Sequence, residues 1–138
     1  MTMTLSTAAR NAELQSLVTQ LGASATAKLY NGTKPAALGA PAGTLLATLT
    51  FGTTAVTDAN GGTAGSVASG TLTFGGVTQN NTLHVAGTPT FVRLSTSGGT
   101  VVADIDVGAG AGNVQFSGSI ATNQNVTVTG LTLTAGNP

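Results

Sequence analysis

The hydrophobic period of this chain changes once, at Gly22, and that change limits what it can fold into. Before it, Leu14, Leu17, Val18 and Leu21 fall at i, i+3, i+4 and i+7, the stripe of an amphipathic helix. Ala8, Ala9 and Ala12 add intrinsic helix preference. Thr4 or Ser6 can accept a hydrogen bond from a free backbone N–H at the helix start. Gly22 stands where a positive-φ C-cap is wanted. The spacing predicts one helix over about residues 5–21.

Beyond Gly22 the period is two. Ala27 and Leu29 alternate with Lys28 and Tyr30; Leu45, Ala47, Leu49 and Phe51 alternate with Leu46, Thr48 and Thr50. Leu72 and Phe74 share a side, and Val92 and Leu94 oppose Phe91 and Arg93. Val101, Ala103, Ile105 and Val107 alternate with Val102, Asp104 and Asp106, and Val114 and Phe116 form a shorter run. Near the end Val126 and Val128 are followed by Leu131 and Leu133 one step out of phase, with Gly130 at the break, as a β-bulge would place it. Alternation of this kind marks antiparallel strands with one buried face. The expected fold is mainly β, an antiparallel sandwich or jelly roll with one N-terminal α-helix. Residues 1–22 form the helical segment, a packing or docking arm, and residues 23–138 the β domain. The expected core is Leu49, Phe51, Phe74, Val92, Leu94, Ile105, Phe116, Val128 and Leu133.

Thr96-Ser97-Gly98-Gly99, between two alternating runs, is the clearest hairpin turn, because tight turns need the positive φ that glycine supplies. Residues 31–43, with Pro35 and Pro41, residues 53–70, and the Gly-Ala-Gly-Ala-Gly run at 108–112 read as loops. The 53–70 stretch is the longest, and long loops are where function often sits.

Charge excludes more than it suggests. Only 6% of the 138 residues are charged, the formal net charge is +0, and there are four Lys and Arg, four Asp and Glu and one His. A nucleic-acid binder that neutralises phosphates needs many more cations. Cys is absent, which removes disulfide and zinc-thiolate scaffolds. No apolar run approaches the roughly 20 residues of a membrane helix, and no secretory signal is read at the N-terminus. The hydrophobic fraction of 41% is enough for a core. A near-neutral, hydroxyl-rich surface does little to keep like molecules apart, which suits a chain that assembles with copies of itself.

The few groups with chemistry are sparse. His84 is the only His, and a general base would need an orienting carboxylate and a nucleophile beside it, so it is read as structural or surface. Asp104 and Asp106 share one strand face, roughly 7 Å apart. Such a pair could help hold Ca²⁺, but calcium takes about six or more oxygens, and Asp58 is the only other Asp. The pair is read as a solvated strand face with Arg93 across the hairpin as the opposite charge. The Gly108–Gly112 run has neither a following helix nor a nearby Lys, so it is a turn rather than a phosphate cradle. No cofactor or metal is expected. The stripe of Leu14, Leu17, Val18 and Leu21 is the candidate interaction surface, packing on the sheet or docking in a partner's groove.

The order of segments carries a resemblance. A helix containing Ala9-Arg10-Asn11-Ala12-Glu13-Leu14 is followed by Lys28-Leu29-Tyr30-Asn31-Gly32-Thr33-Lys34-Pro35 and Leu45-Leu46-Ala47-Thr48-Leu49-Thr50-Phe51. Later come Gly87-Thr88-Pro89-Thr90-Phe91-Val92-Arg93-Leu94, Val101-Val102-Ala103-Asp104 and Val126-Thr127-Val128-Thr129-Gly130-Leu131-Thr132-Leu133-Thr134. This arrangement resembles a family of small structural proteins of tailed bacteriophages and prophages. The likeness spans nearly the whole chain and is weakest over 53–86; members usually carry an acidic residue in the hairpin turn, where this chain has Ser97-Gly98-Gly99. The resemblance implies a non-enzymatic virion protein assembled in a host bacterial cytoplasm. It would be a capsid decoration (cement) protein, acting as a homo-oligomer, with a trimer expected, on the major capsid or other virion proteins. It would bind neither nucleic acid nor membrane. The alternatives are a neck, tail or baseplate component, or a receptor- or carbohydrate-binding β-module of a tail fibre. Sugar sites usually stack a ring on Trp or Tyr, and this chain has no Trp and one Tyr.

Overall fold

The computed structural model describes residues 3–52, 66–75, 77–79, 85–107, 120–122, 126–128 and 131–135. Helix α1 (Thr7–Leu21) opens the chain. Ser6 is its N-cap, its Oγ accepting from the Ala9 N–H at 3.2 Å. Gly22, at φ 70°, closes it with its N–H on the Val18 carbonyl. Among the described residues nine strands follow: β1 (Thr26–Tyr30), β2 (Leu45–Thr50), β3 (Ser66–Ala68), β4 (Thr71–Thr73), β5 (Val77–Gln79), β6 (Phe91–Ser95), β7 (Val101–Asp106), β8 (Val126–Val128) and β9 (Thr132–Thr134). The fold is mainly β, and every strand pair is antiparallel.

The strands form a four-stranded sheet in the order β2-β1-β6-β7, a three-stranded sheet β3-β4-β9 and a two-stranded sheet β5-β8. One core joins them. From the large sheet come Ala27, Leu29, Ala47, Leu49, Val92, Leu94 and Ile105, which the registers place in two adjacent rows on the inner face. Leu72, Phe74 and Leu131 approach from the smaller sheet, and the Phe51 and Phe74 rings stack at 5.5 Å between them. Helix α1 lies against β3, β4 and β7 and adds Leu14, Val18 and Leu21 to the same core. The Asn11 Oδ1 accepts from the Gly70 N–H at 2.7 Å, tying the helix to the β3–β4 turn.

Several expectations meet the structure directly. The helix starts two residues later than the stripe suggested, because Ser6 takes the cap. The turn after β6 forms as expected: Gly99, at φ 90°, donates to the Thr96 carbonyl, and the Thr100 N–H bonds the Thr96 Oγ1. Leu49, Phe51, Phe74, Val92, Leu94 and Ile105 are buried and Leu133 packs against the core. Phe116, His84, Asp58, Gly130 and the 108–112 run lie outside the described residues, as does the Val128 side chain.

Two differences have physical causes. Ser66–Ala68, inside the stretch expected to be a loop, is a strand. Its Ser-Val-Ala sequence is too short and too small to show alternation, and it exists because the Ser69-Gly70 turn, both residues at positive φ, folds it onto β4. In β2 the phase slips: Leu29 faces Ala47 while Tyr30 faces Leu45, so Leu46 is the extra residue of a bulge. Leu46 is therefore buried and Leu45 exposed, the reverse of strict alternation. The two runs on either side of Gly130 pair as β8 with β5 and β9 with β4 in one common register, and the bulge expected at Gly130 itself lies outside the described residues.

Candidate functional site

The outer face of the four-stranded sheet gathers the polar chemistry of the described residues. The registers line up two rows across it: Thr48, Lys28, Arg93 and Asp104, then Leu45, Tyr30, Phe91 and Asp106. Asp104 and Asp106 thus share a face as their spacing required. They do not share a site. The Arg93 Nε and Nη2 donate to the two oxygens of Asp104, each at 2.7 Å, in a bidentate pair. The side chains are 7% and 2% exposed, so this part of the face is not solvated as expected. Asp106 accepts from the Lys34 Nζ at 2.7 Å, in a pair that water reaches.

Burial of Arg93 comes from the loop between β1 and β2. Its ends are clasped: the Asn31 N–H donates to the Thr44 carbonyl at 3.1 Å, and the Thr44 N–H to the Asn31 Oδ1 at 2.7 Å. Such closed ends and a length of about a dozen residues make it an Ω-loop. Gly43, at φ 113°, passes so close to the Asn31 backbone that a side chain there would overlap it. The loop is braced to the sheet at three points. The Thr90 Oγ1 donates to the Gly32 carbonyl at 2.6 Å, Lys34 reaches Asp106, and the Arg93 Nη2 donates to the Gly39 carbonyl at 2.7 Å. Beneath it the Tyr30 and Phe91 rings stack with centroids 5.2 Å apart and planes within 8°. The hydrogen bonds to Asp104 raise the Arg93 guanidinium further above its already high ordinary pKa, against the opposing pull of burial.

This arrangement holds a loop in place. Both aspartates are engaged by cations, which leaves neither as a free acid, base or metal ligand. Among the described residues no three His, Cys, Asp or Glu side chains cluster as a metal site. No helix among them is long and apolar enough to cross a membrane. Sequence reasoning placed Arg93 across the hairpin from the Asp104–Asp106 face, and the structure pairs it with Asp104. It missed Lys34 and the Gly39 carbonyl, since nothing local marks a loop residue as the partner of a strand 54 positions away.

The helical stripe proposed as an interaction surface faces inward. Leu14, Val18 and Leu21 are buried and Leu17 packs partly against the core, so these side chains cover their own sheets rather than a partner's groove. The cause is the bare end of the β3–β4–β9 sheet, whose apolar Leu72 needs a cover that the helix supplies. Of the two roles expected for residues 1–22, packing and docking, the described part of the segment takes packing: it shares the core of the β strands.

Comparison of the chain with protein-family models, with curated proteins and with solved structures finds no match.

Proposed function

We propose that this chain is a non-enzymatic structural protein of a bacteriophage virion, a decoration (cement) protein on the capsid exterior that works as a homo-oligomer, with a trimer expected. The observation that carries the reading is the use of charge. The two Asp–cation pairs of the large sheet are engaged in bracing a loop, and only 6% of the chain is charged. A β scaffold of this kind can bury area between shell subunits through many modest hydrogen bonds and apolar contacts. The order of sequence segments that resembles small phage structural proteins supports the same reading. The carbohydrate-binding alternative loses its best candidate, because the Tyr30 ring is stacked on Phe91 and buried.

Mass spectrometry of purified particles, followed by cryo-EM location of the chain, tests the proposal. Density on the capsid exterior is expected. Density confined to neck, tail or baseplate would move the protein to the alternative structural role, and absence from particles would overturn the virion reading.

A further inference from the structure

We propose that Asn31 is a modification site: its carboxamide is lost to attack by the Gly32 backbone nitrogen, and the isoaspartate formed unfastens the β1–β2 Ω-loop. Two described asparagines hold a backbone N–H on Oδ1 at 2.7 Å, Asn31 that of Thr44 and Asn11 that of Gly70. The residue that follows separates them. Ala12 carries a Cβ and lies inside α1, where its N–H is committed to the carbonyl one turn back. Gly32 has no Cβ to shield its nitrogen and is exposed. Among the described residues neither the Gly32 N–H nor the Asn31 Nδ2 has an acceptor. Nucleophile and leaving group are thus both unengaged. The bond from Thr44 meanwhile draws charge from Cγ and faces the oxygen on which negative charge develops, as one donor of an oxyanion hole does.

The fold itself sets this pair of residues side by side. Gly32 has a φ of 98°, and a Cβ there would stand 2.6 Å from the Ala42 carbonyl oxygen. Glycine alone suits that position. The neck that needs the Asn31 side chain as its clasp therefore places the least hindered backbone nitrogen directly after it.

The chemistry needs only water and hydroxide. The Gly32 nitrogen gives its proton to hydroxide and attacks the Asn31 Cγ. The N–Cγ bond forms, the Cγ–Nδ2 bond breaks, and ammonia leaves with a proton from water, which restores the hydroxide. A second water opens the cyclic succinimide at one of its two carbonyls. One water is consumed and one ammonia released, with no change of oxidation state. Opening at Cγ gives aspartate, whose side chain still accepts from the Thr44 N–H. Opening at the main-chain carbonyl gives isoaspartate. The backbone then runs through Cγ, one methylene longer, and a carboxylate stands where the carbonyl stood. The neck has no room for that change. Gly43 already passes against the Asn31 backbone, and Thr44 is bonded to both the N–H and the Oδ1 of Asn31.

Peptide mapping by mass spectrometry, on the full chain aged in neutral and in mildly alkaline buffer, tests this. The chymotryptic peptide that begins at Asn31 should gain about 1 Da, and faster in the alkaline sample. Its conversion should outpace that of Asn11 by about tenfold or more. Part of the product should elute apart from the same peptide of Asn31→Asp, as isoaspartate does. Asn31→Gln keeps a carboxamide but would need a six-membered ring, and should lose the gain. Amide hydrogen exchange reads the neck: the Thr44 N–H should lose protection in the isoaspartate form and keep it in Asn31→Asp. Conversion at Asn31 no faster than at Asn11, or a gain that persists in Asn31→Gln, would overturn the site. An isoaspartate form with Thr44 protected as in the fresh chain would overturn the unfastening. Whether the chain enters particles is read separately and is untouched by either result.

Discussion

Arg93 and Asp104 face each other across β6 and β7, joined by two 2.7 Å hydrogen bonds, with less than a tenth of either side chain open to water. A third bond runs from the same guanidinium to the Gly39 carbonyl, so one buried cation couples the hairpin to a loop folded over the sheet.

That coupling should be measurable as a mutant cycle. Asp104→Ala leaves Arg93 buried without its counter-charge and should cost about 3–5 kcal/mol in denaturant unfolding. Replacing both residues by leucine removes the uncompensated charge and should recover more than half of that loss. A single-variant loss below about 1 kcal/mol would show that the pair is solvated in solution.

The pH dependence of the pair follows from its sign. Arg93 has a folded pKa raised above its unfolded value, so its contribution is fully present below the unfolded value and lost only as pH rises through the folded one. Both lie above the usual working range. The stability difference between the chain and the double-leucine variant should therefore stay level from about pH 6 to about pH 10. A steady fall across that window would contradict the assignment.

The N-terminal helix should be required for folding. Leu21 is almost fully buried, and Leu21→Ala should cost about 2–5 kcal/mol. Removing residues 1–22 uncovers Leu72 and the inner ends of β3 and β4, so the remaining β segment should lose its cooperative thermal transition. A truncated chain with an unchanged melting curve would show that the helix is dispensable.

Gly43 should tolerate no side chain. Its φ is 113° and a Cβ would overlap the Asn31 backbone, so Gly43→Ala should cost about 2–4 kcal/mol through strain and crowding together. Gly39, with open space around it and no positive φ, provides the contrast: Gly39→Ala should change stability by less than about 0.5 kcal/mol. Equal effects at the two sites would remove the clasp between Asn31 and Thr44 from the description of the loop.

Local pattern alone determined the helix, its caps, the strands at β1, β2, β4, β6 and β7 and the hairpin turn, because each depends on a residue's near neighbours and on the period of its apolar side chains. It also put Arg93 across the hairpin from the face that Asp104 and Asp106 share, while the register, shifted between Leu94 and Ser95, chose Asp104 as its partner. Tertiary structure decided what each face meets. β6 alternates in sequence, yet both its faces are buried: the Ω-loop reaches Arg93, the Tyr30 ring stacks on Phe91, and the core covers Val92 and Leu94. The bulge at Leu46 exchanged the exposures of two leucines that the alternation alone would have placed the other way round. The helical stripe reads equally well as core or as docking surface, and only the position of the smaller sheet beneath it assigned Leu14, Val18 and Leu21 to the core. Periodicity states that an apolar face will be covered; which segment covers it depends on contacts between residues far apart in the chain, and those leave no local trace.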